Sequence, residues 1–445
     1  MTYEKISLPL DTFTDIEFSE DGIIGRRSIL PGGIRVLTEK VPGQRSASIS
    51  FWIGAGSRDE APGHEGSTHF LEHMLFKGTK TRTSADISRL SDFLGGAINA
   101  ATSRQYTCYY GRVFSADIPQ LLALLVDMIT DSTLEITQME TERSVILEEL
   151  AAAADDVNES VETALLPLVM GEHQLARPVG GTKETVNALT HDSMLDHYRK
   201  NYHGKELIVS AAGDIDHAEL CRILLDLLAA HGWDLAEKVT PNPRRRVADI
   251  VYTKESSELI LPHSSRQSAV VMGMPGIEIA NALEPVMSMF EIILGGGTSS
   301  RLFQEIRENH GLAYSVYSWN LSWNEGGIFA MEAACAEENT EQVAKLMRNC
   351  LQQIAQDGVT QAELDTAVNQ KRAQLVFAAE TNGYRKNRLG YAELFRGELM
   401  SITENLRRSR EVTPQMVQDL AQQLAASPAA IVRSIHAPAS ADAEV

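Results

Sequence analysis

His69-Phe70-Leu71-Glu72-His73 is the stretch on which the reading of this chain turns. On an α-helix, His69 and His73 stand one turn apart on the same face, as two ligands of one metal ion must. Glu72, three residues after His69, falls on that side too, close enough to handle a metal-held water without binding the metal. The flanking residues predict the helix. Gly66-Ser67-Thr68 offers a start, Lys77-Gly78-Thr79 a stop, and Phe70, Leu71, Met74 and Leu75 form a separate apolar face.

The order H-x-x-E-H inverts the metalloprotease motif H-E-x-x-H. A catalytic zinc takes three protein ligands and leaves a fourth position for water, so a third ligand is needed. Residues 137–155 predict a second helix, with Thr137 and Glu140 as a capping box. On its wheel Met139, Val145, Ile146, Leu150 and Ala153 share one face, and Glu142 and Glu149 fall inside it, while Glu148 points to water. Carboxylates on a core-facing stripe are costly unless a metal or a cation compensates them. Glu149 is therefore the candidate third ligand. Glu142 is a candidate for orienting that ligand or a histidine.

With these residues assembled, the chain resembles the pitrilysin/insulinase-type zinc metallopeptidases, the inverzincins, and especially their shorter processing-peptidase-like branch. In that family a segment like E-R-x-V-x-x-E-E follows the histidine motif. Here it reads Glu142-Arg143-Ser144-Val145-Ile146-Leu147-Glu148-Glu149, and Glu149 lies 76 positions after His73. Helix wheel and resemblance select the same glutamate. Gly54-Ala55-Gly56-Ser57-Arg58-Asp59-Glu60, Pro178-Val179-Gly180-Gly181-Thr182 and Gly213-Asp214-Ile215 also match family positions. The resemblance implies one Zn2+ per chain on His69, His73 and Glu149, with Glu72 as general base. It further implies that Asn99-Ala100-Ala101-Thr102 forms an edge strand along which substrate backbone lies. From the second half it implies Arg307 and Tyr314, in a segment like R-x-x-x-G-L-A-Y, as donors to the oxyanion or anchors for substrate.

A chain of 445 residues, 43% of them hydrophobic, is long enough for more than one domain with a sizeable core. Its net charge of −20 argues against nucleic acid and anionic membranes as partners. Cys108, Cys221, Cys335 and Cys350 have no paired metal-ligand spacing and suggest no disulfide framework. The N-terminus carries no basic segment followed by a long apolar run, and no apolar stretch is long enough to span a bilayer. The expected address is cytoplasmic.

The chain also repeats itself. Residues 46–53 and 266–273 each read as a strand entering a helical segment, the second being 286–294 before Gly295-Gly296-Gly297. Aromatic strand pairs follow at 106–113 and 314–332, then amphipathic helices at 118–129 and 340–354, then further helices from 137 and from 360. The expectation is an α+β fold made of two homologous α+β domains, each an antiparallel-rich sheet packed by helices, together half of a clamshell chamber. The expected domains are 1–237 with the metal ligands and 248–436 with the Arg/Tyr pair. Residues 238–247 read as a linker and 437–445 as a disordered tail. Where the first half has its histidines, the second has Phe290-Glu291-Ile292-Ile293-Leu294, which cannot hold zinc in this way.

The implied activity is a zinc endopeptidase acting on peptides or unfolded segments bound in extended form. Its chamber of four domains would require a homodimer, or a heterodimer with a relative. The competing class is a non-catalytic scaffold or assembly subunit of the same fold. Such relatives have lost ligands or the catalytic glutamate, all of which are present here.

Overall fold

Ser46–Ile53 is buried along nearly its whole length, so the strand needs cover on both faces. That requirement organises the first unit. The computed structural model describes residues 4–244 and 248–437. Of these, the first unit takes the residues within Met1–Leu150, Arg177–Arg245 and Val376–Glu404, and the second those within Ala151–Ala176, Arg246–Leu375 and Asn405–Val445. The expected tail from 438 onward, and residues 245–247 of the expected linker, lie outside the described residues.

The first unit holds a seven-stranded sheet. Its order is Ile16–Glu20, Ile23–Leu30, Ile34–Lys40, Leu207–Gly213, Ser46–Ile53, Thr107–Phe114, Ile98–Thr102. Only the Ile34–Lys40/Leu207–Gly213 pair is parallel. On one face Ile49, Phe51, Ile53 and Tyr109 pack with Phe70, Leu71, Met74 and Leu75 of the Ser67–Leu75 helix, and with Leu121, Leu122 and Leu125. The other face is covered by the Asn382–Tyr391 helix. There Trp52 donates to Ser210 Oγ at 2.8 Å, and Arg385 reaches Glu39 at 3.1 Å. A Cβ on Gly390 would stand 2.4 Å from the Trp52 ring, so only glycine allows that helix to lie so close.

The second unit holds a five-stranded sheet ordered Ala313–Trp323, Gly326–Cys335, Ser268–Pro275, Ala430–His436, Ser257–His263. The last two strands are parallel and the other pairs antiparallel. One face carries the Glu284–Gly295, Thr340–Asp357 and Pro414–Ala426 helices around Phe290, Phe329 and Met347. The other carries the Val157–Met170 helix, whose Val161, Leu165 and Val169 pack on Ala269, Val271 and Val432.

The chain is thus α+β with the expected duplication. Strands Ser46–Ile53 and Ser268–Pro275 lead to equivalent helices, Ser67–Leu75 and Glu284–Gly295. Helices Ile118–Asp131 and Thr340–Asp357 correspond, as do Ile136–Asp155 and Gln361–Ala379. The units are nevertheless not the contiguous stretches 1–237 and 248–436, because 151–176 belongs to the second unit and 376–404 to the first. In each half, the helix after the long one covers a sheet: Val157–Met170 packs on the five-stranded sheet through apolar side chains, and Asn382–Tyr391 packs on the seven-stranded sheet largely through Asn382, Lys386 and Gly390. The described part of the expected linker is anchored as well: Arg244 binds Glu393 Oε1 at 3.1 Å and Leu8 O at 2.7 Å.

Candidate metal centre

The Ser67–Leu75 helix starts as its sequence predicts, but not by the expected cap. Its N-cap, Gly66, has φ 93° and no side-chain bond. Glu60 does the capping from outside, accepting from Gly66 N at 2.9 Å and Thr68 N at 2.7 Å. Burial pushes the Glu60 carboxyl up to about 7, against the pull of those hydrogen bonds. Phe70, Leu71, Met74 and Leu75 are buried, while His69, Glu72 and His73 remain half-buried on the other side.

The second helix runs Ile136–Asp155, so Thr137 lies inside its first turn and cannot cap it. Glu140 turns instead to Arg143, 3.2 Å away, and the expected capping box is absent. Met139, Glu142 and Ile146 are buried. Val145, expected on the core face, is 42% exposed. Glu149 also sits at the rim of the stripe rather than inside it, with its side chain 50% exposed. The buried face, Met139, Glu142 and Ile146, is narrower than the wheel implies.

From that rim Glu149 still reaches the histidines. His69 Nε2 and His73 Nε2 are 3.2 Å apart, and Glu149 Oε2 lies 3.9 Å from the first and 3.5 Å from the second. Three ligand atoms therefore converge within a metal ion's reach. His73 Nδ1 lies 2.9 Å from Glu142 Oε1, and Glu142 Oε2 lies 2.6 Å from Lys77 Nζ. This Lys77–Glu142–His73 chain holds the proton on Nδ1 and turns the Nε2 lone pair toward the cluster. Burial, and secondarily His73 beside it, holds His69 down to about 4, which keeps its imidazole neutral and able to donate a lone pair at neutral pH. Its Nδ1 is buried without a hydrogen-bond partner.

Glu72 stands next to this cluster and outside it. One carboxylate oxygen accepts from Thr102 Oγ1 at 2.6 Å. Burial raises its pKa above the usual carboxylate range, opposed by that hydrogen bond and by His73. Thr102 ends the Ile98–Thr102 strand, which among the described residues pairs only with Thr107–Phe114 and so has an open edge. Asn99 and Ala101 are exposed, while Ile98 and Ala100 pack toward the metal helix.

Arg307 and Tyr314 belong to the second unit. Arg307 lies in a π-helix, Phe303–Asn309, a wide turn that throws its guanidinium back toward the following strand. It donates to Tyr314 O at 2.8 Å and stacks 5.3 Å from the Tyr314 ring. Tyr314 is 77% exposed, so its hydroxyl is presented to solvent and not to the core.

Comparison with known proteins gives the family. The family model described as insulinase (peptidase family M16) matches residues 35–183, and the model described as the peptidase M16 inactive domain matches 188–371. A protein of Streptomyces coelicolor named an uncharacterized zinc protease is 40% identical over 89% of this chain and 86% of its own length. A Bacillus subtilis protein of like name is 31% identical over 90% of this chain and 95% of its own.

The chain belongs to peptidase family M16.

Solved structures share its fold. A protein from Pseudomonas fluorescens titled a peptidase M16 inactive domain superposes with TM-score 0.82 at 19% identity, covering 95% of this chain and 97% of the other. A protease from Helicobacter pylori gives 0.81 at 19% identity, over 92% and 99%. The insulinase-type match spans every residue of the histidine–glutamate cluster, and the inactive-domain match spans Arg307 and Tyr314.

Three participants escaped sequence reasoning. Glu60 was visible only as part of a motif, and its capping role depends on a loop folding back over six residues. Lys77 follows His73 by one turn, a spacing that could have suggested its place beside Glu142. Thr102 was expected to meet substrate, not to hold Glu72. The four cysteines are buried and free. Among the described residues no helix is long and apolar enough to cross a membrane.

Proposed function

We propose that this M16 protein is a zinc endopeptidase. The convergence of His69 Nε2, His73 Nε2 and Glu149 Oε2 carries the reading: two imidazole nitrogens and a carboxylate oxygen face one another. Such a donor set suits zinc, and the names of the relatives point the same way. Zinc, when bound, supplies a Lewis acid that polarises a water and the scissile carbonyl. The chain's own residues do the rest. Glu142 and Lys77 hold the His73 ring in one orientation and one tautomer. Glu72, steadied by Thr102, takes the proton of the attacking water and passes it to the leaving amine. A carboxyl with a raised pKa is a better proton carrier near neutrality than an ordinary one.

The open edge of Ile98–Thr102 receives peptide backbone in extended form, through Asn99, Ala100, Ala101 and Thr102. Two chains would form the chamber as a dimer, in which Arg307 and Tyr314 of one copy donate to the oxyanion in the other. Purified protein should hold about one zinc per chain by elemental analysis and should cleave quenched-fluorescent peptides. A chelator should abolish cleavage, and stoichiometric zinc should restore it. Zinc-free protein that cleaves equally well would sink the proposal, and zinc-loaded protein that cleaves nothing would favour a scaffold.

A further inference from the structure

On the face of the first sheet opposite the metal helix lies a cavity of about 720 Å³, lined by Trp52, Ala97, Ala101, Tyr106, Tyr110 and Lys386 among others. Its position relative to the edge strand follows from strand alternation. Ala97 and Ala101 line it, whereas Ile98 and Ala100 pack on the metal-helix side and Thr102 holds Glu72. A peptide strand added to this edge would alternate in the same way. The residues flanking the one that faces the metal centre would then point over the cavity.

The cavity floor holds an unusual cation. Lys386 is only 6% exposed. Its ammonium donates to Ser50 Oγ at 2.6 Å and Asn387 Oδ1 at 2.8 Å, and lies 4.9 Å from the Tyr110 ring centroid. Those partners are neutral and use two of three donor positions. Burial accordingly lowers its pKa. A buried charge without a counter-charge is costly, and an incoming carboxylate would relieve that cost. At the exposed rim Arg112 adds a second cation, against one carboxylate from Glu380.

We propose that this cavity is a side-chain subsite that takes an acidic residue, Asp or Glu, of a peptide lying along Ile98–Thr102. The inference rests on the reading of that edge as the peptide-binding strand. Aromatic walls would pack the methylenes of the bound residue, and Lys386 would meet its carboxylate.

The test is a set of quenched-fluorescent peptides in which Glu replaces Gln at each position in turn. In the wild type, kcat/KM should favour Glu on the order of tenfold at one position or at positions two apart, the gain expected of a charge-assisted hydrogen bond. In Lys386→Gln the Glu/Gln ratio should fall to near one. Arg112→Gln, at the exposed rim where folding is not at stake, should lower the ratio about two- to threefold. Cleavage without any Glu preference, or a preference unchanged in both variants, overturns the subsite. If nothing is cleaved, the peptidase reading fails on its own. Fluorescence anisotropy of labelled Glu and Gln peptides then decides the subsite separately: equal affinities overturn it, and tighter Glu binding that Lys386→Gln removes upholds it.

Discussion

The Ser67–Leu75 and Glu284–Gly295 helices occupy the same place in two copies of one unit, and only one carries the candidate site. The second buries Val286, Met287, Met289, Phe290, Ile292, Ile293 and Leu294, apolar nearly all round. The first buries Phe70, Leu71, Met74 and Leu75 on one side and presents His69, Glu72 and His73 on the other. The fold asks only for the apolar side. Where the opposite side stays open, beside a strand edge and a second helix bearing carboxylates, it is free to carry ligands. Where it is packed over, it contributes stability instead.

The contrast should show most strongly in Glu72→Gln. Removing the proton carrier while leaving Thr102 a hydrogen-bonding partner should lower kcat by about 10²- to 10⁴-fold with zinc content unchanged. Zinc loss, or turnover above a few per cent of wild type, would place Glu72 among the ligands or outside the reaction.

Equivalent deletions in the two helices should separate function from stability. Phe290→Ala empties a fully buried site and should cost about 3–5 kcal/mol in denaturant unfolding. His73→Ala, on the open face, should cost about 1 kcal/mol in the metal-free protein yet abolish metal binding. Similar unfolding costs for both variants would mean that the metal face is itself part of the core.

The smallest effect concerns the buried acid of the second unit. Glu332 is fully buried on the Gly326–Cys335 strand, and Trp319 Nε1 donates to it at 3.0 Å. Burial, with Glu162 nearby, pushes it up to about 8 from an ordinary carboxylate value of 4.5. The folded state therefore keeps this proton while the unfolded chain loses it. The stabilisation is complete below about pH 4.5 and is lost as pH rises through about 8. Glu332→Gln cannot ionise, so its melting temperature should fall less between pH 6 and pH 9 than that of the wild type. Parallel pH profiles would show that Glu332 ionises in place, with no coupling to the fold.

Much of this was legible in the residues themselves. The pentapeptide marked the candidate metal face because helical spacing is a local property, and the apolar residues between the histidines fixed its orientation. Glu149 emerged from the wheel even though it lies at the rim, since only the carboxylate had to reach the cluster. The helix start was misread at both helices of the candidate site. Glu60 caps the first from a loop, and the second begins one residue early, so that Thr137 is internal. Caps depend on where neighbouring backbone is brought, and sequence order does not record that.

Sequence alone determined the duplicated α+β plan, the two histidines, the adjacent glutamate and the third candidate ligand, because periodicity and spacing act within one element. Tertiary structure alone decided the rest. It set the His73–Glu142–Lys77 chain, the bond from Thr102 to Glu72, and the cavity above Lys386. It also decided that 151–176 and 376–404 each pack in the unit of the other half. Each of these joins residues far apart in the chain, and each holds because a buried polar group or a bare apolar face must find a partner wherever the fold supplies one.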